Sequence, residues 1–248
     1  MTPSEHGHSI PICAGKAAYH RIFALSLLVL CAPRARGAEG KRAREEAQFT
    51  IYVAGKEIGQ EKFSIQDSGD SISSNSIVTF RDPNQHQNVR LETQLNMNTQ
   101  YFPQTYQLRT TVGGRKGAMT GTFAPGEAKF QYLTNGTPRK SGLLMGDRYI
   151  VLDTNVFHHF VFIGRLFDFS STEKSQSLEV VIPQEIDSGI LKISEVGMEK
   201  ISMYGKQKNL HHLRADSGPL AIDLWVDDQH ILYKIALPTK RIEVRRNF

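Results

Sequence analysis

The sequence predicts a mostly β protein, a curved antiparallel sheet (half-barrel or open barrel) wrapped on one apolar helix at about residues 155–169. Three observations predict this fold. Short segments that alternate polar and apolar residues recur about every 8–12 residues, the spacing typical of an all-β sandwich or barrel. Turn-forming residues separate these segments. One stretch, residues 151–170, does not alternate and is rich in large apolar residues, with five phenylalanines.

The N-terminal 38 residues have the pattern of a cleavable signal segment. A basic start precedes an apolar run from Ile22 to Ala32, and Ala35 and Gly37 place small residues before a plausible cleavage site. The run is shorter than the roughly 20 residues that cross a bilayer. We therefore expect export to the periplasm, or secretion, with no membrane span after the segment is removed. Both cysteines lie in it, which excludes a disulfide or a cysteine nucleophile from the mature chain.

The net charge of the expected mature chain is small. The N-terminal segment contains four of the 30 Lys and Arg residues and one of the 25 Asp and Glu residues. This leaves 26 basic and 24 acidic residues, a net charge of +2. Short basic runs at the two ends are not interleaved with aromatic residues and are typical of solvated termini. We expect no nucleic-acid partner.

After a predicted mobile leader at residues 39–47, we expect a single antiparallel β domain at residues 48–248. Alternation of apolar and polar residues indicates a sheet with one buried and one solvated face. A polar loop at residues 170–177 is expected to divide the sheet into two arms. The apolar positions of two typical segments are Val89, Leu91, Leu95 and Met97, then Tyr106, Leu108 and Val112, and the predicted turns are 67–70, 113–114, 125–126, 135–136, 187–189 and 204–206.

The apolar stretch predicts a buried helix. Residues 153–155 have the composition of an N-cap, and the residues after them do not alternate. Five phenylalanines in the stretch contribute on the order of 10 kcal/mol when buried, so we expect the concave face of the sheet to enclose the helix. On a helical wheel the apolar stripe is Val156, Phe160, Ile163 and Phe167, and the narrow polar sector is His158, Arg165 and Asp168.

The order of these features resembles an uncharacterised exported bacterial family classed as a domain of unknown function. The resemblance begins with FTIYVAGKEIGQEKFSI and continues through LETQLNMNTQYFPQTYQL and YIVLDTNVFHHFVFIGRLF. It ends with LKISEVGMEKISMYGKQKNLHHLRA and IDLWVDDQHILYKIALP, so it covers about Gln48 to Arg246. The resemblance implies a β half-barrel on a helix, distantly similar to the periplasmic lipoprotein-carrier fold, whose concave face holds acyl chains. It implies no settled activity.

The sequence predicts no catalytic residue, no metal and no cofactor. The adjacent pairs His158–His159 and His211–His212 suit a metal poorly, because neighbouring side chains diverge by 100° on a helix and face opposite sides of a strand. We expect packing or surface histidines without a carboxylate that completes a ligand set. The chain contains no Gly-x-Ser-x-Gly motif and no acidic pair with a spacing that predicts acid–base catalysis.

The preferred functional hypothesis is an exported binding or carrier protein for an apolar ligand, such as a lipid or acyl chain, held between the helix and the concave face. His158 and Arg165 are expected at a polar rim, where they contact a head group. The alternative is an envelope scaffold or interaction module whose strand edges pair with a partner protein, and the third hypothesis is a hydrolase or metal enzyme. The candidate ligand-binding residues are His158, His159, Phe160, Phe162, Arg165, Leu144, Met145 and Trp225.

Overall fold

The computed structural model describes residues 44–134, 136–218 and 220–247, and the predicted signal segment lies outside them. Most of this part of the chain is in strands. The helical segments are α1 (Val161–Leu166) and 3-10 turns at Phe157–Phe160, Pro183–Glu185 and Pro238–Lys240. The strands are β1 (Arg44–Val53), β2 (Lys56–Asp67), β3 (Ile72–Arg81), β4 (Asn88–Met97), β5 (Pro103–Val112), β6 (Arg115–Ala124), β7 (Glu127–Thr134), β8 (Thr137–Leu144), β9 (Tyr149–Val151), β10 (Gln176–Ile182), β11 (Asp187–Met203), β12 (Lys206–Asp216), β13 (Ala221–Val226), β14 (Leu232–Leu237) and β15 (Ile242–Arg246).

All 15 strands belong to one sheet, in the order β8-β7-β6-β5-β4-β3-β2-β1-β15-β14-β13-β12-β11-β10-β9. Two meanders, β1–β8 and β10–β15, form two arms that join where β1 pairs with β15. Neighbouring strands are antiparallel except for β9 and β10. The sheet is curved and open, which confirms the predicted fold class. None of the described helical segments is long and apolar enough to cross a membrane.

The alternation predicted from the sequence is present in the strands. In β4 and β5 the predicted apolar positions point inward, and Val89, Leu95 and Tyr106 are buried. The turns at Gly113–Gly114 and Tyr204–Gly205 join neighbouring strands as predicted. Residues 187–189 do not form the predicted turn but begin β11. The chain reverses just before them, at the 3-10 turn, where Ile186 takes a left-handed conformation with φ 49°.

The first strand begins earlier than the sequence suggested. Residues 44–47 lie within the predicted leader, yet they pair with β2 from Arg44 opposite Gln66 to Ala47 opposite Phe63. The carboxylate of Glu45 accepts a hydrogen bond from Arg165 on α1 and a second one, 2.7 Å long, from Nη1 of Arg246. Glu45 therefore links the start of β1 to both α1 and β15.

The central helical segment is shorter than predicted. The chain forms a 3-10 turn at Phe157–Phe160, then α1, and Phe167 is already extended with ψ 124°. The predicted N-cap is also wrong, because Val156 occupies that position and no side chain caps the turn. The two arms enclose this segment on the concave side, so Val156, Phe162 and Ile163 are fully buried. Enclosure by the sheet, rather than helix length, stabilises the apolar stretch.

The long β11–β12 hairpin covers part of the outer face of the sheet. The register of its pairing shifts between Glu195 and Gly197, and the tip residue Tyr204 donates a hydrogen bond of 2.9 Å to Oδ1 of Asn247. Between the hairpin and the outer face lies a second, smaller apolar cluster, separate from the main core. Its buried members are Met203, Leu210, Trp225 and Tyr233.

Candidate functional site

A cavity of about 380 Å³ lies near the middle of the sheet, where β1 and β3 end and β2 and β15 begin, beside the start of the helical segment. Its volume falls within the range of about 300–1,000 Å³ that is typical of small-molecule sites. The wall is mainly apolar, and the polar residues come from turns. The lining residues are Ile51, Val53, Ile58, Phe80, Phe157 and Ile242, with Asp82, Pro83, Asn84, Asn155 and Lys240.

Close approach of β2 and β3 shapes one wall of this cavity. Gly59 stands opposite Phe80 in the ladder, and a Cβ atom at Gly59 would lie only 2.2 Å from the carbonyl oxygen of Thr79. Only glycine allows the two strands to approach this closely with the Phe80 side chain in place. The register between β1 and β2 also shifts just after Ile51, which adds local twist at the same strand ends.

The cavity carries charges of both signs among its lining residues. The Asp82 carboxylate accepts hydrogen bonds from the backbone N–H groups of Asn84 and Gln85, and these bonds lower its pKa. Asp82 is therefore ionised at neutral pH. Lys240 is exposed in the 3-10 turn between β14 and β15. The cavity thus combines an apolar wall with a few polar groups that can orient a ligand.

Next to the cavity wall, the Phe157 backbone is held by a buried carboxyl group. Oε2 of Glu61 accepts the backbone N–H groups of Phe157 at 2.9 Å and His158 at 3.0 Å. Oε1 of Glu61 lies 2.6 Å from Nδ1 of His158, and both side chains are 0% exposed. The imidazole also stacks on the Phe63 ring, with centroids 5.5 Å apart. One carboxyl group therefore fixes the first residues of the helical segment.

The protonation state of this pair follows from its burial. Loss of water raises the pKa of Glu61 to about 8 and lowers the pKa of His158 to about 3. At pH 7 Glu61 is thus a neutral acid that donates a hydrogen bond to Nδ1 of a neutral imidazole. The remaining proton of His158 is on Nε2, which has no hydrogen-bond partner within the described part of the chain.

The neighbouring His159 is also neutral and buried. Its Nδ1 accepts the Asp153 backbone N–H at 3.2 Å, so its proton is on Nε2, another atom without a partner among the described residues. Burial and the adjacent His158 lower the pKa of His159 well below its ordinary value. The two imidazole centroids are 4.5 Å apart. Two ring N–H groups inside the core are therefore without a partner among the described residues.

Asp153 connects the segment before the helix to both arms of the sheet. The Tyr106 hydroxyl donates a hydrogen bond of 2.5 Å to Oδ2 of Asp153. Oδ1 of Asp153 accepts the backbone N–H groups of Thr154 and Gln184, each at 2.9 Å. Burial raises the pKa of Asp153 and of Tyr106. Since Tyr106 lies in β5 and Gln184 follows β10, this carboxyl group bridges the two arms.

These buried groups have a structural role. Glu61, His158 and His159 have no solvent exposure, and the residues that line the cavity include Phe157 but none of these three. Across the described ranges, no cluster of three or more His, Cys, Asp or Glu side chains has an arrangement that could hold a metal ion. A general base must reach its substrate, and these imidazoles are enclosed. The groups position the cavity wall rather than react.

His158 and Arg165, which were predicted to contact a ligand head group, instead pair with other side chains of the protein. The prediction that His158 faces solvent is wrong, because its ring points into the core toward Glu61. The wheel placed it in the polar sector from its neighbours, and the acid on β2 that pairs with it is 97 positions away in sequence. The Arg165 guanidinium is partly buried and paired with Glu45. Neither group is free at a rim.

The other candidate residues do not converge on one site. Phe160 and Phe162 belong to the main core, and Met145 packs against it. Leu144 is 92% exposed at the end of β8 and does not approach the helix, contrary to the prediction. Trp225 lies on the face opposite Leu224, as its parity in β13 predicted, and therefore on the outside of the sheet. Its Nε1 donates a hydrogen bond of 2.9 Å to Glu199.

The second histidine pair, His211 and His212, lies on β12, and its two side chains have different partners. His211 bonds to Glu195 and Asp228, whereas His212 bonds to Glu199 and Asp223. The two rings face opposite sides of β12, as predicted. Each ring is paired with two carboxylates, and His212 also stacks on Trp225 with centroids 4.6 Å apart.

The prediction from sequence missed Glu61 and the cavity-lining residues of β1 and β2. Parity within GQEKFSI does place Glu61 on the same face as Phe63 and Ile65, which marks it as an inward-pointing acid. Parity alone could therefore have identified Glu61 as a buried acid. By contrast, the lining comes from turns and strand ends that are distant in sequence, such as Ile58, Pro83 and Lys240.

No family model and no curated protein matches the sequence. Among solved structures, the chain is similar to the crystal structure of a DUF1089 family protein from Pseudomonas aeruginosa. The sequence identity is 11% and the TM-score is 0.39, with 69% of this chain and 86% of that chain covered. DUF denotes a domain of unknown function.

Proposed function

We propose that this protein is an exported binding or carrier protein for a small apolar ligand, such as a lipid acyl chain. The observation that carries the proposal is the 380 Å³ cavity with its mainly apolar wall at the ends of the central strands. A cavity of this kind takes apolar groups out of water, at roughly 25 cal/mol for each Å² that is buried. Export rests on the predicted signal segment.

The ligand occupies the cavity at the strand ends of β1, β2 and β15 and not the space between α1 and the concave face. That inner space is filled, because Phe162, Ile163 and Val161 are fully buried against the sheet. The cavity opens instead where Phe157 meets the ends of β1, β2 and β15. A volume of about 380 Å³ suits one chain or one small apolar molecule rather than a bulky lipid.

Polar groups of the lining give the ligand an orientation. Asp82 is ionised and Lys240 is exposed, so a polar end of the ligand remains near water while its apolar end lies against Ile51 and Phe157. Aliphatic and aromatic side chains provide most of the affinity in such sites, and a few polar groups determine orientation.

Binding of N-phenyl-1-naphthylamine, an apolar dye that fluoresces out of water, tests the proposal. The variant Val53→Trp fills the cavity from its wall and is expected to weaken dye binding at least tenfold. Tyr52→Trp is the matched control, since Tyr52 is the adjacent residue on the other face of β1, where Arg245 lies over its ring. Equal dye binding by wild-type protein and Val53→Trp would contradict the proposal.

The alternative hypothesis, a scaffold that pairs its strand edges with a partner, has weaker support. The end strand β8 contains Pro138, Arg139 and Lys140, all exposed. Proline removes a ladder hydrogen bond, and charged residues on an edge oppose the addition of another strand. The composition of this edge therefore disfavours strand pairing.

A further inference from the structure

The three strands at one end of the sheet, β6–β8 (residues 115–144), form a basic lobe. They contain five Lys and Arg residues and one acidic residue, a net charge of +4, whereas the whole chain has a net charge of +5. The basic residues are Arg115, Lys116, Lys129, Arg139 and Lys140, and the acidic residue is Glu127. Positive charge is therefore concentrated in this lobe.

The outer face of the basic lobe also exposes two leucines. Leu133 pairs with Pro138 and Leu144 pairs with Glu127 in the β7–β8 ladder, so both leucines lie on the same face of the hairpin. Leu133 is 53% exposed and Leu144 is 92% exposed. The register places them roughly 20 Å apart along the strands, at about 3.3 Å per residue.

Lysines on the same face lie near these two leucines. Lys140 stands opposite Gln131, and Lys129 stands opposite Gly142, between the two ends of the hairpin. Lys116 faces the same side from β6, opposite Thr111. Lys129 pairs with Glu127 at 2.6 Å, whereas Lys116 and Lys140 have no ion-pair partner among the described residues.

We propose that the outer face of the basic lobe docks on an anionic lipid surface. Lysine side chains are attracted to the negative potential of such a surface, and exposed leucines enter the boundary between head groups and acyl chains. A protein edge is disfavoured as the partner because Pro138 and Lys140 oppose strand addition. Docking brings the protein to the source of an apolar ligand, although the docking itself does not require the cavity.

The test is sedimentation of the protein, purified from its own cells, with two kinds of vesicle, palmitoyl-oleoyl phosphatidylglycerol and palmitoyl-oleoyl phosphatidylcholine. The double variant Lys116→Glu/Lys140→Glu is expected to bind the anionic vesicles at least about tenfold more weakly. The double variant Leu133→Ser/Leu144→Ser is expected to show a similar loss without unfolding, since both side chains are exposed. The matched control is Lys56→Glu/Lys62→Glu, which makes the same charge change at exposed positions of β2.

Three results would overturn the docking proposal. The first is binding of Lys116→Glu/Lys140→Glu within twofold of the wild type. The second is an equal loss in the control Lys56→Glu/Lys62→Glu, which would indicate that net charge alone determines binding. The third is equal binding to the two lipids. Because the substitutions of this assay leave the cavity lining unchanged, failure here leaves the dye-binding result of Val53→Trp unaffected.

Discussion

Glu61 on β2 and His158 at the start of the helical segment are 2.6 Å apart, and neither side chain reaches solvent. The same carboxyl group accepts the backbone N–H of Phe157, whose ring forms part of the cavity wall. The pair therefore connects the interior of the sheet to the proposed ligand site. Its removal is expected to affect both the stability of the fold and the shape of the cavity.

Glu61→Ala is expected to lower the free energy of unfolding by about 3–5 kcal/mol, because it leaves Nδ1 of His158 buried without a donor and two backbone N–H groups buried without an acceptor. Glu61→Gln keeps an oxygen acceptor and the shape of the side chain, so its loss should be smaller. Urea unfolding at pH 6.5 measures both values. Equal losses for Ala and Gln would show that the hydrogen bonds of Glu61 contribute little.

The raised pKa of Glu61 predicts a loss of stability on the alkaline side. The unfolded carboxyl group titrates near 4.5 and the folded group near 8, so folding takes up a proton between these values and stability falls as the pH rises. The pKa of His158 falls from 6.5 to about 3, and this opposes the loss below pH 6.5. From pH 6.5 to pH 8 the expected net loss is about 1 kcal/mol.

Urea unfolding at pH 6.5 and at pH 8 checks this dependence. The variant Glu61→Gln has no titrating group at this position, so it should not lose stability between the two pH values. If Glu61→Gln and wild type lose the same stability between pH 6.5 and pH 8, another group causes the alkaline loss.

Gly59→Ala tests the close approach of β2 and β3. The new methyl group would meet the Thr79 carbonyl oxygen at 2.2 Å and the Phe80 Cβ at 2.4 Å, so the strands must separate. We expect a loss of about 1–3 kcal/mol in the free energy of unfolding and weaker dye binding. Gly189→Ala, where no atom lies within 4 Å of the added Cβ, is the control and should change neither quantity. Identical unfolding curves for the two variants would contradict the geometry of this wall.

Glu45→Gln tests whether the start of β1 is an integral part of the fold. This change removes the ion pairs of Glu45 with Arg165 and Arg246, and the expected loss is about 1–2 kcal/mol at low salt and less at high salt. Glu46→Gln is the control, because Glu46 is exposed and its ion-pair partner Arg44 is exposed as well. Thermal unfolding at two salt concentrations measures both variants. A loss of the same size for Glu46→Gln would mean that the partial burial of Glu45 is irrelevant.

Alternation was sufficient to predict the sheet, because each strand buries every second residue independently of its partners. Parity alone predicts the alternating burial in β4 from Val89 to Met97. It also predicts that Leu224 and Trp225 lie on opposite faces of β13. Burial of Phe160 and Ile163 likewise followed from the number of large apolar side chains in the stretch. These features depend on local sequence.

The site depends on contacts between distant segments, which local pattern does not report. The environment of His158 is determined by Glu61, and the ion pair of Arg165 is determined by Glu45, 120 positions earlier. A helical wheel considers only the residues of the helix itself, so it placed the side chains of His158 and Arg165 in solvent. The cavity volume depends on how the turns around Pro83 and Lys240 sit against Phe157, and this arrangement follows only from the complete sheet.

The most direct test of the proposed function is the identification of what the protein carries when it is purified from its own cells without detergent. Organic extraction followed by mass spectrometry should detect an apolar molecule in stoichiometric amount with the wild-type protein and not with Val53→Trp, in which the cavity is filled. The same result with Tyr52→Trp as with wild type would show that the loss is specific to the cavity. An empty wild-type protein, or equal amounts of the molecule in wild type and Val53→Trp, would contradict the proposal that this cavity binds an apolar ligand.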